Sequence, residues 1–198
     1  MRRFPIALLL FVIMLPGCAT MTAKQAHSPY RIAADGDIVW RGEYRFSPPP
    51  KPWLLVSLDE GDTAFAYLKV VSGEPLCQST FAYSEEPFGV SRNLRQRMKE
   101  FYRRFLWAGR VTFDPPRTRP VTVFGREALE ATSLGRDPAR GEKVWTKVIL
   151  ARRGERLVAF FMTQWQPTNG TFDRDEEKIF QRFIDSFRFL KPSFYQTL

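Results

Sequence analysis

Apolar and polar residues alternate with the two-residue period of a β-strand through the second half of the chain. Val144, Val148 and Leu150 alternate with Trp145 and Lys147, and similar stretches occur in REALEATSLG and RLVAFFMTQW. The short segment RRGE between two of these stretches is typical of a hairpin turn. The pattern predicts an antiparallel meander, with RLVAFFMTQW in a central position of the sheet because it is apolar on both faces.

The first half of the chain contains four more stretches of β-rich composition. They are DIVWRGEYRF, WLLVSL, TAFAYLKVVS and LCQSTFAYS. The residues that separate them are rich in glycine, proline and acidic side chains, which favour turns and extended connections. Together with the meander, these stretches predict an antiparallel sheet of about six to eight strands.

One helix is predicted at residues 91–108. Leu94, Met98 and Phe101 recur at helical spacing and fall on one face, and Ser91 is expected to be the N-cap. A second helix is predicted at residues 173–185, near the C-terminal end of the sequence.

The start of the second helix carries its own indication in the sequence. Asp173 and Glu176 are three residues apart, as in a capping box, and the neighbouring acidic residues suit the positive end of a helix. Phe180 and Ile184 lie on one side and predict packing on the sheet. The predicted fold class is therefore α+β, an antiparallel sheet packed by two main helices.

The first helix also predicts a basic face. Arg92, Lys99 and Arg103 fall close together on the side opposite to the apolar residues. Such a face is ordinary for a solvated helix, and it is also suited to contact anionic lipid or an anionic partner. Both interpretations stay open from the sequence alone.

The N-terminal segment has the layout of a secretory signal peptide. Arg2 and Arg3 precede an apolar run from Ile6 to Leu15, which is too short to be a stable membrane-spanning helix. Helix-breaking residues follow this run directly. Residues 1–17 are therefore predicted to be removed on export, and a buried N-terminal helix fits this layout less well.

The four residues LPGC after the apolar run resemble the bacterial lipobox. Leu15, Gly17 and Cys18 match that motif, and Pro16 departs mildly from it. The resemblance implies cleavage between Gly17 and Cys18 and acylation of Cys18, which would hold the chain on a membrane of the cell envelope. Ala19 is not the aspartate associated with inner-membrane retention, so the periplasmic face of the outer membrane is favoured in a bacterium with two membranes.

The polar, aperiodic segment that follows predicts the domain organisation. Residues 18–36 are expected to be a lipidated, flexible tether, and residues 37–198 a single α+β domain. With Cys18 acylated, Cys77 has no partner for an internal disulfide. Export also makes nucleic acid an unexpected partner, although the chain is basic.

The charge of the mature chain suits anionic partners. Loss of Arg2 and Arg3 with the first 17 residues lowers the formal net charge from +9 to +7. Anionic lipid headgroups, acidic envelope polymers and acidic proteins are the partners that such a surface favours.

Residues for catalysis are sparse in this sequence. His27, the single histidine, lies in the predicted tether, so a folded histidine base, a zinc cluster and a bound cofactor are not expected. Glu127 and Glu130 fall on opposite faces of a strand, and the acidic residues near Asp173 are explained by helix capping. A hydrolase with two carboxylates from distant parts of the chain stays open, and it requires a cleft with two acids about 5–10 Å apart.

The C-terminal end carries a second resemblance. Ile184, Ser186, Phe187 and Phe189 match an I-x-S-F-x-F ending, and the order of elements from Val121 onward is similar to the PsbP-like fold and to the DcrB-like lipoproteins built on it. The resemblance implies an antiparallel sheet covered by helices. It also implies an accessory or assembly role without catalytic residues.

Two functions of different class follow. The first is a membrane-anchored, non-enzymatic accessory or scaffold protein of the cell envelope. The second is a carrier of an apolar ligand, with aromatic side chains that line a cavity between helices and sheet. Most aromatic residues are expected in the core, but Trp53, Trp107 and Trp165 lie near predicted element ends, where the rim of a pocket or an interaction surface stays open as an alternative.

Overall fold

The computed structural model describes residues 30–57, 63–70, 77–89, 93–104 and 110–190. Two α-helices occur there, α1 (Leu94–Arg104) and α2 (Arg174–Ser186). The strands are β1 (Tyr30–Ile32), β2 (Ile38–Trp40), β3 (Tyr44–Phe46), β4 (Trp53–Ser57), β5 (Thr63–Val70), β6 (Cys77–Pro87), β7 (Thr112–Phe113), β8 (Arg117–Val123), β9 (Arg126–Asp137), β10 (Glu142–Arg153), β11 (Arg156–Pro167) and β12 (Arg188–Phe189).

The strands form two antiparallel sheets. The eight-stranded sheet has the order β4-β5-β6-β11-β10-β9, and both β7 and β8 pair with the outer edge of β9. The four-stranded sheet has the order β1-β2-β3-β12. The predicted α+β class and the antiparallel sheet with two helices are confirmed, while the second sheet was not expected.

The longest strands form the predicted meander. β10 and β11 pair over their whole length, from Glu142 opposite Pro167 to Arg153 opposite Arg156. Gly154 has a φ of +59° and opens the two-residue hairpin loop, where glycine relieves the strain of a left-handed backbone. β11 lies between β6 and β10 and is buried on both faces, which confirms its predicted central position.

The predicted tether boundary at residue 36 is wrong. β1 lies inside the segment expected to be tether, and it pairs with β2 so that Tyr30 is opposite Trp40. The two rings are stacked with centroids 5.8 Å apart. The aromatic contact and the strand pairing hold β1 in the sheet. The strand was not predicted because three residues are too few to show a two-residue period in the sequence.

One face of the eight-stranded sheet is covered by α2 and by the four-stranded sheet. The space between the layers is filled by aromatic rings, among them Phe46 and Phe65 with centroids 4.6 Å apart and Tyr83 and Phe187 at 4.8 Å. Phe183 of α2 joins the same cluster, and all of these side chains are buried. The four-stranded sheet and α2 therefore share one core with the larger sheet.

The opposite face of the eight-stranded sheet is covered by α1. Met98 and Phe101 pack on Leu129, Val148 and other residues of the central strands. The expected helix 91–108 is described from Leu94 to Arg104, and Ser91 and residues 105–109 lie outside the described residues.

Asn93, not Ser91, is the N-terminal cap of α1. Its side-chain oxygen accepts a hydrogen bond from the Gln96 backbone N–H at 3.0 Å, and the Gln96 side chain accepts one from the Asn93 N–H at 3.4 Å. These reciprocal bonds form a capping box, which satisfies two N–H groups that a helix start leaves free. The cap therefore lies two residues after the position predicted from the sequence.

Candidate functional site

The predicted site residues fall into two groups. Gly17, Cys18 and Arg92 lie outside the described residues. Lys99 and Arg103 are exposed on α1, on the side that faces away from the sheet. The basic face of α1 is therefore the part of the predicted site that the structure describes.

A further cation, Arg95, extends this face. Arg95, Lys99 and Arg103 follow one another at intervals of four residues, which places their Cα atoms about 6 Å apart along the helix. All three are exposed, and within the described residues none has a carboxylate within ion-pair distance. We call these three residues the α1 strip. The four-residue spacing of Arg95 was visible in the sequence and was missed.

The α1 strip lowers the stability of its own helix. Like charges four residues apart cost about 0.2–0.5 kcal/mol per pair on an exposed helix. The first turn of α1 has no acidic residue, and Arg95 and Arg97 lie near the positive end of the helix dipole. An anionic partner would reverse the sign of each of these interactions.

Buried contacts hold α1 in place. Arg97 donates to the carboxylates of Glu86 and Glu100 and to the carbonyl of Pro87. Unlike Arg95 in the same turn of the helix, Arg97 is buried against strand β6. The Tyr102 hydroxyl lies 3.2 Å from Thr146 Oγ1, and burial raises the pKa of Tyr102 to about 12. The α1 strip is therefore presented on a fixed helix.

The acidic residues of α2 do more than cap it. Asp173 is the N-cap as predicted, and its side chain accepts from the N–H groups of Asp175 and Glu176. The predicted capping box with Glu176 is wrong, because the Glu176 side chain is buried and accepts from Lys69 Nζ at 2.6 Å and from Ser79. The Asp173 N–H instead donates to Gln164 Oε1 at 2.8 Å.

Two more carboxylates share one buried lysine. Lys147 Nζ lies 2.8 Å from Glu177 and 3.4 Å from Glu130, and Arg119 donates to Glu130 at 2.6 Å. Burial opposes ionisation of Glu130, but Arg119 and Lys147 outweigh it, so the pKa of Glu130 lies below its ordinary value. A general acid needs a raised pKa, so Glu130 is unsuited to act as the acid of a glycosidase.

The described residues contain no group of three or more possible metal ligands among histidine, cysteine, aspartate and glutamate. Among the residues that the structure describes, neither helix has the length and apolar character needed to cross a bilayer.

Trp53 and Trp165, two of the tryptophans considered for the rim of a pocket, lie in the core. Trp53 is buried with its ring centroid 3.8 Å from that of Phe81, and Trp165 is buried below the guanidinium of Arg110. Trp107 lies outside the described residues. Trp53 and Trp165 are therefore core residues, because their strands place them under other side chains.

Two surface clefts are formed by described residues. One has a volume of about 320 Å³ at the start of α2, with Trp145, Phe172 and Glu177 in its wall. The other has a volume of about 550 Å³ near the start of α1, with Phe88, Arg126 and Arg152 in its wall. Both mix aromatic and charged side chains, and neither enters the ring cluster between α2 and the sheet.

No protein-family model matches the chain, and no curated protein matches it by sequence. Solved structures do match. Cyanobacterial PsbP (CyanoP) from Synechocystis sp. PCC 6803 is similar with a TM-score of 0.50 and 10% identity, over 75% of this chain and 88% of that chain. The fold is PsbP-like. This confirms the resemblance of the C-terminal ending at the level of the fold.

Two further structures are similar. LpqN, involved in cell envelope biogenesis of Mycobacterium tuberculosis, matches with a TM-score of 0.50 and 9% identity, over 74% of this chain and 83% of that chain. A protein of Bacteroides thetaiotaomicron matches with a TM-score of 0.47 and 13% identity, over 83% of this chain and 49% of that chain. At 9% identity the likeness to LpqN concerns the fold alone.

Proposed function

We propose that this protein is a membrane-anchored lipoprotein of the bacterial cell envelope that acts as a non-enzymatic accessory or assembly factor. Acylated Cys18 holds it on the membrane, and the PsbP-like domain presents the α1 strip to an anionic envelope partner. In a bacterium with two membranes, the site of action is the periplasmic face of the outer membrane.

The α1 strip is the observation that carries this proposal. Three exposed positive side chains lie along α1 and have no described carboxylate partner. The buried ion pair of Arg97 holds this helix on the sheet. Repulsion between these like charges destabilises α1 in the unbound protein. Binding of an anionic partner would turn that repulsion into attraction, which gives the charge pattern a function. The LPGC segment supports the location, and the likeness in fold to LpqN, a protein involved in cell envelope biogenesis, supports a role in the envelope.

The carrier of an apolar ligand is the second candidate, and the interior favours it less. An apolar ligand between α2 and the sheet would need to displace rings such as Phe65, Phe183 and Phe187, which are packed against one another. Native mass spectrometry after mild extraction separates the two functions. A defined bound lipid that is distinct from the Cys18 anchor would favour the carrier.

Charge reversal of the α1 strip tests the accessory role. The variant Arg95→Glu/Lys99→Glu/Arg103→Glu is compared with Arg117→Glu/Arg126→Glu/Arg136→Glu, which changes the net charge equally at exposed positions outside α1. After crosslinking in intact cells and purification of the full chain, we expect the α1 variant to recover its envelope partner at least about tenfold less efficiently. The control variant should recover it like the wild type.

The result that would contradict the proposal is equal recovery by the wild type and both variants. Circular dichroism of each purified variant controls for folding. Loss of recovery in the control variant alone would place the partner on another surface and would also contradict the assignment to α1.

A further inference from the structure

The outer face of the four-stranded sheet carries arginines at one level. Arg31 of β1 is opposite Val39 of β2, Val39 is opposite Arg45 of β3, and Arg45 is opposite Arg188 of β12. We call Arg31, Arg45 and Arg188 the arginine row. Since neighbouring strands are about 4.8 Å apart, the row extends over about 15 Å.

Two members of the arginine row have no described carboxylate partner. Arg45 is neutralised by Asp37 at 2.8 Å and by Asp35. Arg188 donates only to the backbone carbonyls of Asp185 and Phe187, and Arg31 is exposed. Val39, between Arg31 and Arg45 in the row, is only 4% exposed. The guanidinium groups of Arg31 and Arg188 therefore keep a charge that no described carboxylate compensates, and guanidinium groups suit phosphate oxygens.

The arginine row lies next to the point where the chain leaves toward Cys18. Tyr30 is the first described residue, and twelve peptide steps separate it from Cys18. This segment spans at most about 40 Å when fully extended. The row is therefore within easy reach of a bilayer that holds Cys18.

The α1 strip is farther from that point. The four-stranded sheet and α1 cover opposite faces of the eight-stranded sheet. The distance from the four-stranded sheet to the eight-stranded sheet and the distance from that sheet to the axis of α1 are each about 10 Å, and the helix radius adds about 5 Å. The strip therefore lies about 25 Å from the outer face of the four-stranded sheet. Contact of the strip with the anchoring bilayer would require the segment between Cys18 and Tyr30 to extend over at least about 25 Å of its maximum of about 40 Å.

An exposed apolar side chain lies beside one end of the arginine row. Leu190, directly after β12 and two residues from Arg188, is 45% exposed. An exposed apolar group beside a cation suits the boundary between headgroups and acyl chains.

We propose that the arginine row docks the domain on the phosphate headgroups of its own anchoring bilayer, so that the α1 strip points away from that membrane. This inference rests on the proposed lipid anchor at Cys18. It assigns different surfaces to the membrane and to the partner, and it leaves α1 accessible while the protein is anchored.

Quenching by labelled lipids tests this orientation. The full acylated chain is placed in nanodiscs that contain about one third phosphatidylglycerol and a lipid with a nitroxide on its headgroup. Single fluorescent labels are attached to Ile32→Cys or to Gln96→Cys on α1, each in a Cys77→Ser background. We expect quenching at position 32 to be at least about threefold stronger than at position 96, and to fall with added salt.

Charge reversal shows which surface is responsible. We expect Arg31→Glu/Arg188→Glu to remove most of the quenching at position 32, and Arg95→Glu/Lys99→Glu/Arg103→Glu to leave it unchanged. Equal or stronger quenching at position 96, or full quenching in the Arg31→Glu/Arg188→Glu variant, would overturn the inference. A wild-type chain that carries no acyl group and stays out of the nanodiscs would instead overturn the proposed function on which it rests.

Discussion

Replacement of Phe187 by alanine is expected to lower the free energy of unfolding by about 3–5 kcal/mol. The ring is fully buried and contacts aromatic rings from three layers, including Phe46 of the four-stranded sheet, Tyr83 of the eight-stranded sheet and Phe183 of α2. Its removal leaves a cavity where these layers meet. Since the stability of a domain is typically about 5–15 kcal/mol, the loss is a large part of the total.

Urea denaturation followed by fluorescence measures this loss. Phe172→Ala is the matched control, because the Phe172 ring is only half-buried beside Lys143 at the start of α2. The control should change the free energy of unfolding by about 1 kcal/mol or less. A Phe187→Ala variant as stable as the control would contradict the ring cluster as the centre of the fold.

Replacement of Lys147 by alanine is expected to cost about 3 kcal/mol of unfolding free energy. The lysine side chain is 6% exposed and lies between Glu130 and Glu177. Without Lys147, the buried carboxylate of Glu130 keeps only the exposed Arg119 as an ion-pair partner. Much of its negative charge is then buried without a neighbouring positive charge. Lys178→Ala is the control, since its ion pair with Asp175 is exposed and should contribute about 0.5 kcal/mol or less.

The loss in Lys147→Ala should depend on pH. The pKa of Glu130 is depressed in the folded protein, so its ionised form stabilises the fold above the pKa of the unfolded chain and this contribution disappears as the pH falls through the folded-state value. The difference between wild type and Lys147→Ala should therefore be largest near neutral pH and shrink below about pH 4. A difference that is constant with pH would contradict the role of Lys147 as partner of the ionised carboxylate.

Much of the fold could be predicted because long elements repeat their period several times. β10 and β11 pair over twelve residues, and α2 shows its apolar face and its Asp173 cap in the sequence. The I-x-S-F-x-F ending also has a physical basis: Phe187 and Phe189 join the ring cluster, while Arg188 between them faces outward.

The four-stranded sheet could not be predicted in the same way. Its strands have two or three residues each, and β12 comes from the opposite end of the chain. Such strands are too short for a periodic pattern, so tertiary packing decides their pairing. The arginine row exists only through this pairing and was therefore not visible in the sequence.

The partners of the buried charges were also beyond the sequence. Glu176 binds Lys69, which lies 107 residues away in the chain. A capping role was the nearest local explanation for Glu176, and it was wrong because only the fold brings the lysine to that position. Arg95 is a different case, since its helical spacing with Lys99 and Arg103 needed no tertiary information.

The state of Cys18 tests the central claim most directly. Intact-mass measurement of the chain purified from the membrane fraction should show a polypeptide that begins at Cys18 and carries acyl chains, and Cys18→Ser should leave the chain unacylated and outside that fraction. A wild-type polypeptide that keeps residues 1–17 without acylation, or a Cys18→Ser variant that fractionates like the wild type, would contradict a membrane-anchored function.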